Sequence, residues 1–298
     1  MISKRDVQAY RRDGVIVVPE VLGKETLAQV RTVIAELVAG SANTLEHTEI
    51  YDLEPGHTAE QPRVRRIKAP HKVHAIFDQI VRSPAVLDIL TKLLGPGLRL
   101  HGSKLNMKSA RYGSPVEWHQ DWAFYPHTND DLAAVGIMMD DMALENGPLM
   151  IVPGTHRGPV FDHHAEGRFC GAMDPSKAEV DFGKAVPLTG RAGSITVHHV
   201  RAVHGSAPNT SPKERRLLLL QYRAADAWPL LGFPGTLEAY DKLLVSGSGT
   251  IEPRLAPVPV RLPLPPADAQ GSIYENQKGL KQRYFESAAT RPALQSVG

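Results

Sequence analysis

Between Leu98 and Arg223 the chain breaks into short apolar runs separated by turn residues, and this rhythm restricts the fold more than any other feature. Leu98 to Lys108 alternates over its second half, with Leu105 and Met107 on one face and Lys104, Asn106 and Lys108 on the other. Ala134 to Met139, Leu149 to Val152, Ser194 to His198 and Arg215 to Arg223 are further runs of strand length. Asn146-Gly147-Pro148 and Pro153-Gly154-Thr155 supply turn chemistry between them. Several short strands joined by turns predict a mainly β fold with a double-stranded β-helix (jelly roll, cupin-like) core.

The first hundred residues read mainly as helix. Ser3 and Asp6 form a capping box for a short helix that Gly14 stops, and Val15 to Val18 follows as a strand. A second helix is expected from Lys24 to Ala39, with Leu27, Val30, Ile34 and Leu37 on one stripe and Gly40 as its end. A third is capped by Ser83, starts at Pro84 and closes at Gly95, with Val86, Ile89, Leu90, Leu93 and Leu94 at helical spacing. Residues 41–72 read as irregular. The organisation expected is one domain over 1–298: a helical brace over about 1–97, a barrel over about 98–224 and a C-terminal wrap over about 225–298. Pro253 to Pro266 reads as extended within that wrap, and 273–285 as a last helix.

The net charge of +2 gives no global field for nucleic acid or an anionic membrane, and the sparse aromatics form no stacking strip among basic residues. No run approaches the ~20 apolar residues of a membrane span. The single cysteine, Cys170, allows no intrachain disulfide, which suits a cytoplasmic protein, monomeric or homodimeric, with a small-molecule substrate.

Three H-x-D or H-x-E triplets occur, at His47, His119 and His164, and chance triplets are expected among thirteen histidines. His119-Gln120-Asp121 stands out because a strand and a Gly113-Ser114-Pro115 turn precede it and Trp122, Phe124 and Tyr125 follow. In an extended segment His119 and Asp121 point the same way while Gln120 faces out. His204 lies between two strands, at an expected sheet end, eleven positions before the strand-borne Arg215. Two imidazoles and a carboxylate can occupy one face of an octahedral ferrous ion and leave the other open for a 2-oxo acid and O2. His198 and His199 are alternative distal ligands. An inward Arg215 implies a carboxylate guest, since a buried guanidinium is costly without an anion.

At these residues the chain resembles the phytanoyl-CoA dioxygenase family, which includes ectoine hydroxylases. The likeness runs from about Leu98 to Arg223 and rests on Trp118-His119-Gln120-Asp121, on Glu145-Asn146-Gly147-Pro148-Leu149 with Pro153-Gly154-Thr155-His156, and on His204-Gly205-Ser206-Ala207-Pro208-Asn209 with Arg215. The resemblance implies Fe(II) on His119, Asp121 and His204, and 2-oxoglutarate as co-substrate with its distal carboxylate on Arg215. Ser206 and Asn106 match positions that line the co-substrate. Lys108 matches a lysine common in the family and is a further candidate co-substrate contact, a strand lysine being otherwise a solvated side chain. The presence of Asp121 argues for hydroxylation over halogenation, and Trp122-Ala123-Phe124-Tyr125-Pro126-His127 departs from the run of ectoine hydroxylases, so ectoine is not the expected substrate.

The activity implied is hydroxylation of an unactivated C–H bond with release of succinate and CO2. Trp122, Phe124, Tyr125 and His127 are candidates for the pocket wall or plain core aromatics, and Trp228 is a candidate lid. Arg63, Arg65, Arg66, Lys68 and Lys72 form a basic cluster, either a solvated face or a clamp for an acidic substrate or coenzyme A phosphate. Two rivals stand beside this reading: a cupin-like metalloenzyme that does not use 2-oxoglutarate, and a non-catalytic metabolite-binding barrel.

Overall fold

The computed structural model describes residues 2–267 and 272–285. Its strands are β1 (Val15–Val18), β2 (Tyr51–Leu53), β3 (Val64–Lys68), β4 (Leu98–Lys108), β5 (Val116–His119), β6 (Leu132–Met138), β7 (Met150–Ile151), β8 (His164–Ala165), β9 (Arg168–Phe169), β10 (Val186–Pro187), β11 (Ile195–His199), β12 (His204–Ser206), β13 (Arg215–Ala224) and β14 (Leu244–Ser246). The helices are α1 (Lys4–Asp13), α2 (Lys24–Gly40), α3 (Pro70–Val73), α4 (Ala75–Val81), α5 (Pro84–Leu94), α6 (Leu237–Asp241) and α7 (Ile273–Asn276). Two sheets form the core. The larger runs β1-β11-β6-β13-β4-β3-β2, with β14 also on β4, and the smaller runs β10-β7-β12-β5. The pairing is antiparallel throughout, as a double-stranded β-helix requires.

The larger sheet is covered on both faces, so its strands carry long apolar runs rather than a clean alternation with polar residues. Leu105, Val135, Ile137, Ile195, Val197, Leu218 and Leu220 pack on one face against Val30 and Ile34 of α2, Phe77 and Ile80 of α4, and Ile89 and Leu90 of α5. The other face holds Lys104, Asn106, Lys108, Arg215, Leu217, Leu219 and Gln221 and turns toward the smaller sheet.

The caps explain the helices that the sequence predicts. Ser3 and Asp6 close the capping box of α1, and Gly14 stops it at φ 77. Pro84 opens α5, although the Ser83 side chain makes no capping hydrogen bond. Gly40 is the last residue of α2 rather than its stop, and Ser41 caps the end.

The stretch 41–72 is not irregular. It contains β2, β3 and α3, and β3 extends the larger sheet beside β4. The charges of β3 hid it: Arg65 is 3% exposed and pairs with Glu275, while Arg66 pairs with Asp52. The last helix is also shorter than expected: α7 gives way to a 3-10 turn, Gln277–Gly279. Residues 253–266 are extended, and the Pro259 carbonyl accepts the Trp122 indole N–H at 2.8 Å. No helix among the described residues is long and apolar enough to cross a membrane.

Candidate metal centre and co-substrate cavity

His204 is not in a loop at a sheet end. It opens β12, directly opposite His119 of β5 in the antiparallel register. Cross-strand partners point to the same face, and the two imidazole centroids lie 4.0 Å apart. Asp121 begins a single 3-10 turn just beyond β5. The ligand-capable atoms of His119, Asp121 and His204 all fall within 4.8 Å of one another, and all three residues are buried. Each histidine has its Nδ1 on a backbone carbonyl, His119 on Glu117 at 2.9 Å and His204 on Ala202 at 3.0 Å. That fixes Nδ1 as the donor and leaves Nε2 as the lone-pair atom aimed at the cluster.

Electrostatics favours the ligand forms. Burial lowers the His119 pKa to about 4 and pushes that of His204 well below the usual imidazole range, so both rings are neutral at pH 7. Burial also opposes ionisation of Asp121, but its neighbours, the Lys104 ammonium foremost, outweigh it and hold its carboxyl well below the usual range. Two neutral imidazoles and one carboxylate match the donor set of a ferrous site with open positions.

Of the two alternatives for the distal position, one turns away and one stays beside the cluster. His199 turns away, 3.8 Å from Asp130 and 5.1 Å from the His156 ring. His198 is 1% exposed, and its Nε2 is 3.8 Å from Asp121 Oδ2. Neither of its ring nitrogens has a hydrogen-bond partner, so it stands beside the cluster as a buried, unsatisfied neighbour. Gln120 points away from the cluster, as alternation predicts, but into packed protein rather than solvent. It is fully buried, with its amide on the Arg201 and Pro159 carbonyls and its oxygen on the Phe161 N–H. The other two triplets stand elsewhere: His47 accepts the Leu53 N–H, and His164 sits on Asp162.

A second set of buried groups lies at the Arg215 end of the same interior face. Arg215 is 2% exposed and donates through Nε and Nη2 to the Gly147 carbonyl. Burial lowers its pKa to about 10, so it remains charged at pH 7. Lys108 is its cross-strand partner and is also buried, with Nζ on the Ser206 and Ala207 carbonyls; burial and the neighbouring Arg215 charge push its pKa well below the usual lysine range. Among the described residues neither side chain has a carboxylate within ion-pair distance. Asn106, two residues back along β4 on the same face, has a buried side-chain oxygen without a partner, and Ser206 is also buried. Gly147 is obligatory here: it sits at φ 68, and an added Cβ would meet the Ala207 and Pro208 carbonyls.

A cavity of about 690 Å³ opens over the cluster, lined by His119, Asp121, Lys104, Phe124, Tyr125 and Gln221 among others. The 3-10 turn explains which aromatics reach it. Side chains three apart on such a turn align, so Phe124 shares the side of Asp121 while Trp122 points back into the core. Trp122 is fully buried among Leu132, Val200 and Ala224 and does not line the cavity. His127 does not line it either: it is buried, with Nε2 3.1 Å from the Arg223 guanidinium. Trp228 stacks on Tyr240 at 4.4 Å, and the outer wall comes instead from Phe233, Pro234, Ala239 and Leu243. Tyr125 does line it, its hydroxyl accepting from Gln221 at 2.7 Å. The basic cluster divides: Arg66 and Lys72 reach the cavity, Arg65 pairs with Glu275, and Arg63 lies over the Tyr112 ring. The sequence also gave too little weight to Lys104 and His101, two basic side chains in the cavity wall.

The family described as Phytanoyl-CoA dioxygenase (PhyH) matches residues 10–217. The chain belongs to this family. Among its relatives is a protein of Stutzerimonas stutzeri named probable alpha-ketoglutarate-dependent hypophosphite dioxygenase, 39% identical over 93% of this chain and 97% of that protein. The L-proline trans-4-hydroxylase of Streptomyces griseoviridis is 30% identical over 74% of this chain and 86% of that protein. Among solved structures, EctD from S. alaskensis in its apoform superposes with a TM-score of 0.64 at 26% identity, covering 75% of this chain and 78% of that one. The family member described here thus shares the jelly-roll architecture of that structure.

Proposed function

We propose that this chain is an Fe(II)- and 2-oxoglutarate-dependent dioxygenase that oxidises an X–H bond of a small molecule. One atom of O2 goes to the substrate and the other to succinate, with CO2 released, so the reaction balances without an outside reductant. The observation that carries this is the buried cluster of His119, Asp121 and His204, with each histidine held by its Nδ1 so that Nε2 is free. These three would hold ferrous iron, and the iron when bound supplies the O2 chemistry. Arg215 and Lys108 would grip the distal carboxylate of 2-oxoglutarate, with Asn106 and Ser206 beside it; a buried guanidinium beside a buried lysine, neither with a protein carboxylate, is what a dicarboxylate would satisfy. Phe124 and Tyr125 would hold the target bond over the cluster and keep water from it. Family membership favours this reading over a metalloenzyme that ignores 2-oxoglutarate and over a silent barrel.

C–H hydroxylation is the reading that the proline hydroxylase supports. A second reading, oxidation of a P–H bond, is favoured by the relative named for hypophosphite, which matches 93% of this chain. In that case hypophosphite, 2-oxoglutarate and O2 would yield phosphite, succinate and CO2. Anaerobic addition of Fe(II) and 2-oxoglutarate should give the weak visible charge-transfer band of a chelated 2-oxo acid. Oxygen should then release succinate together with oxidised substrate, followed in parallel with hypophosphite and with L-proline. Absence of the band in folded, iron-loaded protein would remove the dioxygenase reading.

A further inference from the structure

We infer that the cavity beside the metal cluster takes an anionic substrate, and that Lys104 is the residue that anchors it. The inference rests on the dioxygenase reading and specifies the substrate class of that site. The cavity wall holds Arg66, Lys72 and Lys104, with His71 and His101, and its one described carboxylate is Asp121. A wall with three basic side chains and a single carboxylate, itself assigned to the metal, favours a negative guest.

The three cations are not equivalent. Arg66 is already paired: its guanidinium lies 2.6 Å from Asp52, which Lys68 also approaches at 3.2 Å. Lys72 is exposed, so its ammonium is largely screened by water. Lys104 is different. Its side chain is 24% exposed, and among the described residues Asp121 is the one carboxylate in ion-pair range, at 3.9 Å. That distance is too long for a hydrogen bond. Once Asp121 binds a divalent cation, its charge is committed there, and the Lys104 ammonium faces the cavity unbalanced. A partly desolvated charge of this kind is costly unless an anion meets it.

Strand geometry separates this anchor from the co-substrate. Lys104, Asn106 and Lys108 alternate along one face of β4, and Lys108 is paired with Arg215. Four residues of strand span roughly 13 Å, so Lys104 is well removed from the groups assigned to the distal carboxylate. One face of β4 therefore carries two anion positions, the co-substrate's at Lys108 and the substrate's at Lys104, with the metal cluster next to the second. The guest that fits is a compact oxyanion whose oxygen meets Lys104 and whose X–H bond faces the cluster. Phosphorus oxyanions and carboxylates share that chemistry.

The test uses the full chain loaded anaerobically with Fe(II) and 2-oxoglutarate. Hypophosphite and L-proline are titrated separately, and perturbation of the visible band is recorded before any oxygen is admitted. At least one should saturate in the wild type, and which one does distinguishes the phosphorus oxyanion from the carboxylate. Lys104→Met keeps the length and the apolar stem. It should raise the half-saturating anion concentration roughly 30-fold or more, the low end for removing one partner of a buried charge pair. Lys104→Arg should recover part of the loss. Compared at equal iron loading, the 2-oxoglutarate affinity of both variants should change much less than the anion affinity, because Lys104 lies roughly 13 Å along β4 from the groups assigned to the distal carboxylate. An unchanged half-saturation in Lys104→Met would overturn the inference. So would a normal 2-oxoglutarate band that neither anion perturbs. A missing band in the wild type would instead sink the dioxygenase reading beneath it.

Discussion

Replacing Arg215 by leucine separates the co-substrate role from any structural one. The guanidinium is 2% exposed, and its hydrogen bonds run to the Gly147 carbonyl. If it also grips the distal carboxylate of 2-oxoglutarate, the variant removes one partner of a buried charge pair, which costs about 2–5 kcal/mol. At 1.4 kcal/mol per decade this is a ~30- to ~4,000-fold weaker Kd. Lys108 lies directly across the strand pair; burial and Arg215 hold its pKa well below the usual lysine range, and loss of the Arg215 charge removes one of those causes, so its amine gains positive charge in the variant. The loss should therefore fall in the lower half of that range, roughly 30- to 300-fold. Stability should change less, because two effects oppose. The Gly147 carbonyl loses its donor, costing about 1–3 kcal/mol, while removal of a desolvated charge offsets part of this. The assay is an anaerobic titration of the Fe(II) protein with 2-oxoglutarate, read at the visible band, with a denaturant melt of the same preparation. A folded Arg215→Leu protein with wild-type 2-oxoglutarate affinity would refute the assignment. A variant that unfolds would be replaced by Arg215→Lys, which keeps the charge but loses the fork, and the same shift in reduced size is expected.

Asp121→Ala should bind little Fe(II) and release no succinate above background, measured by bound-iron analysis and by succinate assay; wild-type turnover would remove Asp121 from the ligand set. Gly147→Ala should destabilise by at least ~2 kcal/mol in a denaturant melt, from left-handed strain plus contact with the 207–208 backbone, and an unchanged midpoint would contradict the packing. Acid should unfold the metal-free protein early. Burial lowers the pKa values of His101 to about 4 and of His127 and His163 to about 3, all below the imidazole reference of about 6.5. The unfolded chain then binds more protons between the two values, so stability is intact above about pH 6.5 and is lost as pH falls through that window, by up to ~1.4 kcal/mol per pH unit for each group. Stability that stays flat from pH 7 to 4.5 would show that these rings are not held neutral.

What the sequence revealed follows from how local each signal is. α1 and the start of α5 were readable because caps and first-turn residues are adjacent in sequence. β4 and β13 were readable because strands of this length show their apolar pattern alone. β3 was not, since Val64-Arg65-Arg66-Ile67-Lys68 looks solvated until Asp52 and Glu275 arrive from distant segments to neutralise it. The candidate ligand residues stood out by type and spacing, His204 by its distance to Arg215; the register that sets His204 against His119 joins distant strands and has no local signal. The four wall candidates divide for a local reason: a 3-10 turn has period three, so Phe124 shares the side of Asp121 and lines the cavity with Tyr125, while Trp122 is one of the plain core aromatics. Trp228 failed for a distant one, its ring being held by Tyr240.

The period-2 geometry of β13 shows why chemistry and stability can be altered separately in this barrel. Leu218, Leu220 and Tyr222 face the helices, where Tyr222 donates to the Val81 carbonyl at 2.9 Å. Arg215, Leu217, Leu219 and Gln221 face the interior. β4 divides in the same way, Leu105 and Met107 outward and Lys104, Asn106 and Lys108 inward. The helix-facing layer buries enough apolar area to tolerate charges that folding alone disfavours on the other side of the same strands. Among the described residues Arg215 and Lys108, which have no carboxylate within ion-pair distance, stand at one end of this face, and Lys104, whose one carboxylate neighbour is a candidate metal ligand, stands at the other. Other buried charges are met within the protein, Glu54 by Ser114 and Asp52 by Arg66 and Lys68. A face with basic side chains at both ends, and an imidazole and carboxylate cluster near one of them, would suit two anions and one cation arriving from solution.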